Sequence, residues 1–323
     1  MTILPITPDN SPAHDIEAVR TGLAESGYIC DARLATAVYL SRTLAKPLLV
    51  EGPPGVGKTE LAHAASGLFE RPLIRLQCYE GLDESRALYE WKYGKQLLYT
   101  QLLKDRLNDM IGDTKDFKAS LERIHSFDDI FFNESFLEPR PLLRALKEPD
   151  GAVLLVDEID KADDEFEAFL LEILSAYQIS IPEIGTVKAQ TPPLVFLTSN
   201  GTRDIGDALR RRCLHLYIPF PDADLERRII EVRVPGASEI LRSMIVAFVQ
   251  TLREQDLKKP PSVSETLDWA RALILLNAPV LDADVVRNTL NVLLKVQTDM
   301  EHIGGAVEKL TRLAKEQVAK TAP

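Results

Sequence analysis

The chain contains 323 residues, of which 45% are hydrophobic and 27% are charged, so it can bury a sizeable core. Its 38 Lys and Arg residues against 49 Asp and Glu residues give a formal net charge of −11, which argues against a protein that binds mainly DNA phosphates or an anionic membrane surface. Three widely spaced cysteines argue against a disulfide framework. No apolar run approaches the roughly 18 residues of a membrane span, and the order of a signal peptide is missing, so we expect a cytoplasmic protein.

The first part of the chain predicts an arm, two helices and a strand. Residues 1–14 are rich in proline and are expected to form a flexible N-terminal arm. Apolar residues at helical spacing predict two helices within residues 15–44, interrupted at Gly27 and Tyr28. The apolar run at residues 47–50 ends in a glycine-rich turn and predicts a buried strand.

Strand and helix patterns alternate up to about residue 219, which predicts an α/β domain with a mostly parallel sheet covered by helices on both faces. Further strands are expected at residues 72–77, 152–156, 194–198 and 214–218, and helices at residues 60–69 and 165–177. Residues 82–150 predict a helical insert with a charged helical part at 104–124. Its aromatic residues, interpreted as packing within the insert or as an exposed partner surface, are Trp91, Phe127, Phe131, Phe132 and Phe136.

The pattern changes at Pro219-Phe220-Pro221-Asp222, where two prolines interrupt the chain. Three amphipathic stripes follow, so the remainder is predicted to be helical. We therefore expect a domain boundary near Pro221, with an α/β domain over residues 15–220 and a helical domain over residues 221–323.

The clearest motif lies between the first predicted strand and the helix after it. Residues 52–59 fit the pattern G-x-x-x-x-G-K-[ST], whose backbone N–H groups surround phosphate oxygens. We expect Lys58 to reach the β- and γ-phosphates of a nucleotide and the Thr59 hydroxyl to bind Mg²⁺. A glycine–proline turn that carries Lys-Thr by chance is the alternative, and the flanking strand and helix argue against it. The expected nucleotide-binding residues are Gly52, Pro53, Pro54, Gly55, Val56, Gly57, Lys58 and Thr59.

Two carboxylates, Asp157 and Glu158, follow a second apolar run. A buried Asp is costly unless it stands at the carboxyl end of a parallel strand, where ligands bind. We expect Asp157 to hold Mg²⁺ together with Thr59, and Glu158 to orient and polarise the attacking water. A helix N-cap with an acid in the first turn is the alternative. The nearby acids Asp160, Asp163, Asp164 and Glu165 are expected to form a solvated helix start rather than further metal ligands.

Two more polar groups follow predicted elements. Asn200 would leave its strand at the same sheet edge as Asp157, where its amide could hydrogen-bond the attacking water or the γ-phosphate; an ordinary turn residue is the alternative. The run Arg210-Arg211-Arg212 ends a short predicted helix. It is interpreted as a solvated basic helix end or as an arginine finger that reaches a neighbouring subunit's nucleotide.

These motifs together resemble an AAA+ ATPase. Residues 52–59 resemble Walker A, residues 153–158 resemble Walker B, Asn200 resembles sensor 1, and Arg211 and Arg212 resemble the arginine finger. The chain is similar to the MoxR family, and within it to the subgroup linked to maturation of molybdenum-containing carbon monoxide dehydrogenase. The stretches that carry this similarity are ALYEW (87–91), KQLL (95–98), FLEPRPLL (136–143), FEAFLLE (166–172) and IPEIGT (181–186).

The resemblance implies a P-loop NTPase sheet followed by a small all-α lid, with ATP and Mg²⁺ as cofactors. It further implies a homo-oligomeric ring, often a hexamer, with ATP between subunits. Family members often act with a partner that contains a von Willebrand factor A domain. Their proposed work is chaperone-like, on a client metalloenzyme or in metal-cofactor insertion. Peripheral attachment to a membrane through a partner is compatible with this view, and direct nucleic-acid binding is not expected.

The resemblance also suggests roles for lesser positions. Tyr28 and Ile29 precede the first strand, where AAA+ proteins form the adenine pocket, although ordinary core is the expected role of Tyr28. Gln77 ends the second strand and could restrain Glu158 as a polar switch. Residues 78–82 lack an aromatic–apolar–glycine pore loop, which favours remodelling over processive threading.

One position departs from the family pattern. Glu265 stands where many AAA+ lids carry a sensor 2 arginine, and Ser262 with Glu265 matches a capping box. Arg271 follows almost two turns later and either substitutes for that arginine or faces solvent. A nucleic-acid-associated AAA+ motor and an ATP-binding assembly scaffold remain alternative functions.

Overall fold

A computed structural model describes residues 14–99, 101, 133–182 and 184–321. Apart from His14, the predicted arm lies outside these described residues, as do the predicted helical part at 104–124 and Phe127, Phe131 and Phe132.

Strand and helix positions follow the sequence pattern closely. The strands are β1 (Leu48–Glu51), β2 (Leu73–Gln77), β3 (Tyr89–Trp91), β4 (Leu137–Pro139), β5 (Val153–Asp157), β6 (Gln178–Ile181), β7 (Gly185–Lys188), β8 (Leu194–Ser199) and β9 (Leu214–Tyr217). The helices of the first part include α1 (Ile16–Glu25), α2 (Ala32–Thr43), α3 (Lys58–Phe69), α4 (Glu84–Ala87), α5 (Pro141–Lys147), α6 (Asp164–Ala176) and α7 (Asp207–Arg212), and residues 93–99 are also helical. The C-terminal helices are α8 (Ala223–Arg233), α9 (Glu239–Arg253), α10 (Val263–Leu275), α11 (Ala283–Leu293), α12 (Gln297–Gly304) and α13 (Val307–Thr321).

Five strands form a parallel sheet in the order β2-β5-β8-β1-β9, as the alternating pattern predicts. All five carboxyl ends therefore lie at one edge of the sheet. In sheet order these ends are Gln77, Asp157, Ser199, Glu51 and Tyr217.

The sheet is buried on both faces, which explains the continuous apolar runs of its central strands. Leu154 and Val156 of β5 belong to one hydrophobic cluster, whereas Val153 and Leu155 belong to the cluster on the opposite face. Side chains alternate between the two faces with the period of two of a strand. A single-sided sheet would have given an alternating apolar and polar sequence instead.

Two small antiparallel strand pairs were not predicted. Strands β3 and β4 pair antiparallel, with Trp91 opposite Leu137, and β6 pairs with β7. Each strand has only three or four residues, too few to show an alternating pattern. Trp91 thus lies in a strand rather than in an inserted helix, while Phe136 is buried, as the packing interpretation expects.

After Pro221 the described residues contain helices only. Asp222 caps α8 by accepting a hydrogen bond from the Leu225 amide at 2.8 Å, one residue after the predicted boundary. The helices α8 to α13 enclose a hydrophobic cluster of their own around the fully buried Trp269, whose indole N–H donates to Thr289 at 2.8 Å. None of the described helices combines the length and apolar character needed to cross a bilayer.

Candidate active site

The loop between β1 and α3 is shaped by its glycines. Gly52, Gly55 and Gly57 all have positive φ, at 153°, 73° and 96°. A Cβ atom on Gly52 would collide with the Ile218 carbonyl oxygen, and one on Gly55 with the Ser262 hydroxyl. The motif glycines are therefore required by backbone conformation and by close neighbours on both sides of the loop.

Lys58 stands at the first position of α3 and is only 7% exposed. Its ammonium donates to the carbonyls of Gly52 and Pro53, both at 2.7 Å, and to Asn200 Oδ1 at 2.8 Å. Burial lowers the Lys58 pKa, and the surrounding carboxylates, Asp160 foremost, oppose that shift. The expected phosphate-binding cation thus lies inside the loop that the motif predicts, beside the expected sensor.

The predicted metal ligands meet across the sheet edge. The Thr59 hydroxyl donates to Asp157 Oδ1 at 3.1 Å, and Asp157 is buried at the end of β5. Hydroxyl and carboxylate oxygens suit a hard cation such as Mg²⁺. Gly57, the N-cap of α3, has no side chain to cap the first-turn amides, which leaves them for an anion. The residues present therefore fit a Mg²⁺–nucleotide pair.

Asp157 has two further partners that its position in the sequence did not indicate. The Thr198 hydroxyl of β8 donates to Oδ1 at 2.5 Å, and the Arg75 guanidinium of β2 donates to Oδ2 at 2.5 Å. Arg75 is half-exposed, and it also donates to Gln77 Oε1 at 2.6 Å. A buried carboxylate is thus compensated by a cation and by two hydroxyls.

Glu158 adopts the left-handed conformation, with φ 58° and ψ 52°. Its backbone N–H donates to Thr198 Oγ1 at 2.9 Å, which holds this uncommon turn. Its carboxylate accepts from Gln77 Nε2 at 2.9 Å and from Lys161 at 2.6 Å, and Asn200 Nδ2 lies 3.5 Å from Oε1. The side chain therefore leaves the strand end toward the same pocket as Asn200 and Lys58.

Asp160 contradicts its expected place in a solvated helix start. The residue is 4% exposed, and its Oδ2 accepts from the Asn200 and Thr202 amides and from the Thr202 hydroxyl at 3.2, 3.0 and 2.6 Å. Burial by itself raises the Asp160 pKa, but these hydrogen bonds outweigh it and hold the pKa below its usual value. The carboxylate fixes the loop that carries Asn200.

The other acids of this stretch behave as predicted. Asp163 caps α6 by accepting from the Phe166 amide at 2.8 Å, and Asp164 and Glu165 are exposed in its first turn. Asp160 differs because it lies in a short 3₁₀ turn that faces the β8 edge, a geometry that composition does not reveal.

A cavity of about 450 Å³ adjoins the phosphate loop. Tyr28 and Ile29 line it, together with Phe220 and residues of α8 and α10. Tyr28 is also part of the core cluster beneath, and burial raises its pKa. Tyr28 therefore belongs to the core and also lines the cavity, and its contact with an adenine stays a prediction.

The C-terminal helices close one side of this cavity. The Ser264 amide donates to the Gly55 carbonyl at 3.3 Å, and Arg233 of α8 pairs with Glu60 of α3 at 2.5 Å. Ser262 and Glu265 form the predicted capping box at the start of α10. Arg271 instead pairs with Asp268 at 2.9 Å on an exposed helix face.

The arginine run divides into inward and outward members. Arg210 pairs with Glu51 at 2.8 Å, and His215 Nε2 lies 2.5 Å from the same carboxylate. Arg211 and Arg212 are exposed and have no partner among the residues that the structure describes. The two outward arginines are thus available to another molecule.

Sequence reasoning missed Arg75, and a signal for it was present. In β2 the apolar residues Ile74 and Leu76 are buried, so Arg75 and Gln77 share the other face by strand periodicity. It also missed the buried Glu167, which accepts from Arg203 and from the Gly206 amide. That residue stands in an apolar helix and gave no such signal.

The chain is similar to several known proteins. An uncharacterized protein of Staphylococcus epidermidis is 27% identical over 82% of this chain and 90% of its own length. One of Staphylococcus saprophyticus is 26% identical over 72% of this chain and 78% of its own. Among solved structures, the Thermotoga maritima RuvB Holliday junction branch migration motor aligns with 91% of this chain and 74% of its own, at 17% identity and a TM-score of 0.45.

A family assignment agrees with the geometry of the site. Residues 47–213 match the family described as AAA domain (dynein-related subfamily). This range begins just before β1 and ends just after α7, so it contains the loop, both carboxylates, Asn200 and the arginine run. The chain therefore belongs to the AAA domain family, in its dynein-related subfamily.

Proposed function

We propose that this protein is a Mg²⁺-dependent ATPase that acts as a chaperone-like remodelling factor in metalloenzyme maturation. One observation carries the ATPase part: two hydrogen-bonded groups, Thr59 with Asp157 and Asn200 with Lys58 and Glu158, meet at one edge of the sheet. Membership of the AAA domain family supports it, because such proteins in general bind and hydrolyse ATP.

Each of these side chains has a distinct task in the proposed reaction. The loop amides and Lys58 bind and orient the phosphates, while Thr59 and Asp157 hold Mg²⁺, which when bound neutralises charge on the phosphate oxygens. Glu158 accepts a hydrogen bond from the attacking water and polarises it. Asn200, held by Asp160, orients that water or the terminal phosphate from the opposite side.

The remodelling part rests on the resemblance to the MoxR family. That resemblance implies a ring, a von Willebrand factor A partner and a client metalloenzyme. The outward arginines Arg211 and Arg212 support a ring in which each subunit completes its neighbour's site, because an arginine finger stabilises the charge of phosphoryl transfer in trans.

The catalytic assignment is tested with Glu158→Gln. The variant removes the water-polarising charge but keeps the volume, so we expect kcat to fall by at least about 10²-fold while the affinity for a fluorescent ATP analogue stays within about twofold. Glu165→Gln, an exposed acid seven residues later, is the matched control. Turnover that survives Glu158→Gln would refute the assignment.

The ring is tested by measuring mass in solution and ATP turnover against protein concentration. We expect turnover per subunit to rise as larger species form. The double variant Arg211→Ala/Arg212→Ala should assemble normally and lose most of this turnover. Activity independent of both concentration and these arginines would instead favour an ATP-binding scaffold, and stimulation by DNA would favour a nucleic-acid motor.

A further inference from the structure

Arg75 contacts two parts of the candidate site at once. Its guanidinium donates to Asp157 Oδ2 at 2.5 Å and to Gln77 Oε1 at 2.6 Å. Gln77 in turn donates through Nε2 to Glu158 Oε2 at 2.9 Å. A continuous chain of three hydrogen bonds therefore joins the expected metal ligand to the expected water-polarising carboxylate.

The orientation of the Gln77 amide depends on this chain. An amide has one acceptor and one donor end, and only the NH₂ end can donate to a carboxylate. Arg75 has no acceptor, so its contact with Oε1 places Nε2 on the side of Glu158. Both side chains stand on the same face of β2, opposite the buried Ile74 and Leu76.

We propose that Arg75 is a positioning residue that couples metal binding at Asp157 to the restraint of Glu158 by Gln77. The inference rests on the ATPase function proposed above and specifies how that site is regulated. Arg75 neutralises Asp157 and fixes the Gln77 amide so long as its guanidinium lies between them.

The coupling follows from competition for one oxygen. Asp157 Oδ1 accepts from the Thr198 hydroxyl at 2.5 Å and from the Thr59 hydroxyl at 3.1 Å. At Oδ2 the Thr59 hydroxyl is farther away, at 3.4 Å, and Arg75 donates at 2.5 Å, so Oδ2 is the oxygen for which Arg75 and a divalent cation compete. A guanidinium that gives up Oδ2 also loses the geometry that holds Gln77 Oε1. Glu158 then still accepts a hydrogen bond from Lys161 at 2.6 Å, but it loses the hydrogen bond from Gln77 of β2. The site therefore has two alternative states. Either Arg75 binds Asp157 and Gln77 restrains Glu158, or the cation binds Asp157 and Glu158 is released.

The first measurement is the affinity of the full-length protein for Mn²⁺ in the presence of ADP, determined by electron paramagnetic resonance. Arg75→Gln removes the competing charge, so we expect Mn²⁺ to bind about two- to fivefold more tightly, the range for a half-exposed ion pair. Arg287→Gln removes an arginine from an exposed pair with Asp284 and is expected to leave the affinity unchanged. Arg75→Lys retains the charge and is expected to restore most of the wild-type affinity.

The second measurement tests the link to Glu158. If Arg75 acts through Gln77, kcat of Arg75→Gln/Gln77→Ala should equal that of Gln77→Ala within about twofold, whereas independent effects would multiply. Equal Mn²⁺ affinity in wild type and a folded Arg75→Gln variant, or multiplicative effects on kcat, would overturn this inference alone. Failure of the wild type to bind Mn²⁺ with ADP would instead overturn the proposed function and this inference with it.

Discussion

Asp160 shows how one buried carboxylate fixes the loop that carries Asn200. Its Oδ2 accepts three hydrogen bonds from Asn200 and Thr202, and Asn200 is thereby fixed beside Lys58 and Glu158. Hydrogen bonds to an ionised acceptor are stronger than neutral ones, so this single side chain contributes to both stability and the geometry of the site.

Replacing Asp160 with Asn should therefore affect both properties. An amide carries no charge and offers one acceptor, so we expect a loss of about 1–3 kcal/mol in the free energy of unfolding and a lower kcat. Because the folded-state pKa lies below the usual 3.8, the difference should be full above about pH 4 and fade as the pH falls through the folded pKa. Urea denaturation of both proteins at pH 7 and at a series of pH values down to about pH 2 checks this, and a difference that stays constant over the whole series would contradict it.

The three cysteines give a second prediction at the residue scale. Burial, the main cause in each case, raises the pKa to about 11 for Cys30 and to about 12 for Cys78 and Cys213. Unfolded thiols lose their protons near pH 9 while the folded ones keep them, so stability should fall as the pH rises from 9 toward 11.

This alkaline loss is measured as the urea midpoint at pH 8, 9 and 10. Cys213→Ala should show a shallower decline than the wild type, because one contributing thiol is absent. Native protein at pH 8 should also react slowly with iodoacetamide compared with protein in urea, since the thiolate is the reactive form. Rapid labelling of all three thiols in the native state would refute the assigned shifts.

At the scale of elements, α7 separates structural from exposed arginines within a single turn. Arg210 faces the sheet and joins α7 to Glu51, the last residue of β1 before the phosphate loop. His215 on β9 contacts the same carboxylate, so one acid holds a helix and a neighbouring strand to the loop. Arg211 and Arg212 project away from this anchor.

Single substitutions should separate these roles. Arg210→Ala removes a partly buried pair and is expected to lower the free energy of unfolding by about 1–2 kcal/mol and to reduce kcat by displacing α7. Arg211→Ala and Arg212→Ala should leave stability within about 0.5 kcal/mol of wild type, since neither side chain is buried. Thermal denaturation and ATP turnover of the three variants test this, and equal destabilisation by all three would contradict it.

The elements that the sequence predicts well are those whose signal is local. The central strands of the parallel sheet are continuous apolar runs, the outer strands β2 and β9 have apolar residues at alternate positions, and the loop at residues 52–59 has a fixed spacing, so all were located within one or two residues. The antiparallel pairs β3–β4 and β6–β7 depend on pairing between segments of three or four residues and were missed.

The same distinction holds within the site. Thr59, Asp157, Glu158 and Asn200 could be predicted because strand ends of a parallel sheet converge. For Arg75 the periodicity of β2 indicates only that it shares a face with Gln77. Its contact with Asp157 depends in addition on the register between β2 and β5, in which Gln77 lies opposite Asp157, and the sequence does not reveal that register. The burial of Asp160 could not be predicted either, because it depends on contacts with Asn200 and Thr202, which are distant in the sequence.

At the scale of the molecule, the C-terminal helices form a separate hydrophobic core joined to the sheet around the cavity beside the phosphate loop. Arg233–Glu60 and the Ser264–Gly55 hydrogen bond cross this junction next to the phosphate loop. Inside the helices, Arg253 and Glu226 form a buried bidentate pair, and Arg253 lies 4.9 Å from the Phe220 ring, which lines the cavity. Nucleotide binding should therefore stabilise both cores.

The chain has two tryptophans, and Trp91→Phe leaves the buried Trp269 as the only one. We measure the midpoint of thermal unfolding twice, once by Trp269 fluorescence and once by circular dichroism. We expect ADP with Mg²⁺ to raise both midpoints by the same amount. Glu60→Gln in the same background should reduce the Trp269 shift more than the dichroism shift. A ligand-induced shift in dichroism with no change at Trp269 would show that the two cores respond independently.

The glycines of the phosphate loop carry a consequence for genetics. Gly52 lies against the Ile218 backbone, and Gly55 lies against Ser262 of the C-terminal helices. The methyl group of an alanine at either position would therefore push apart segments that are in contact. Alleles at these codons would share a null phenotype with alleles at the Lys58 codon. A second-site Ser262→Gly change would distinguish the position 55 alleles, because it removes both Ser262 side-chain atoms that a methyl group at position 55 would meet and leaves only the backbone strain of a φ of 73°. No such change can move the Ile218 backbone away from position 52 or replace an ammonium group.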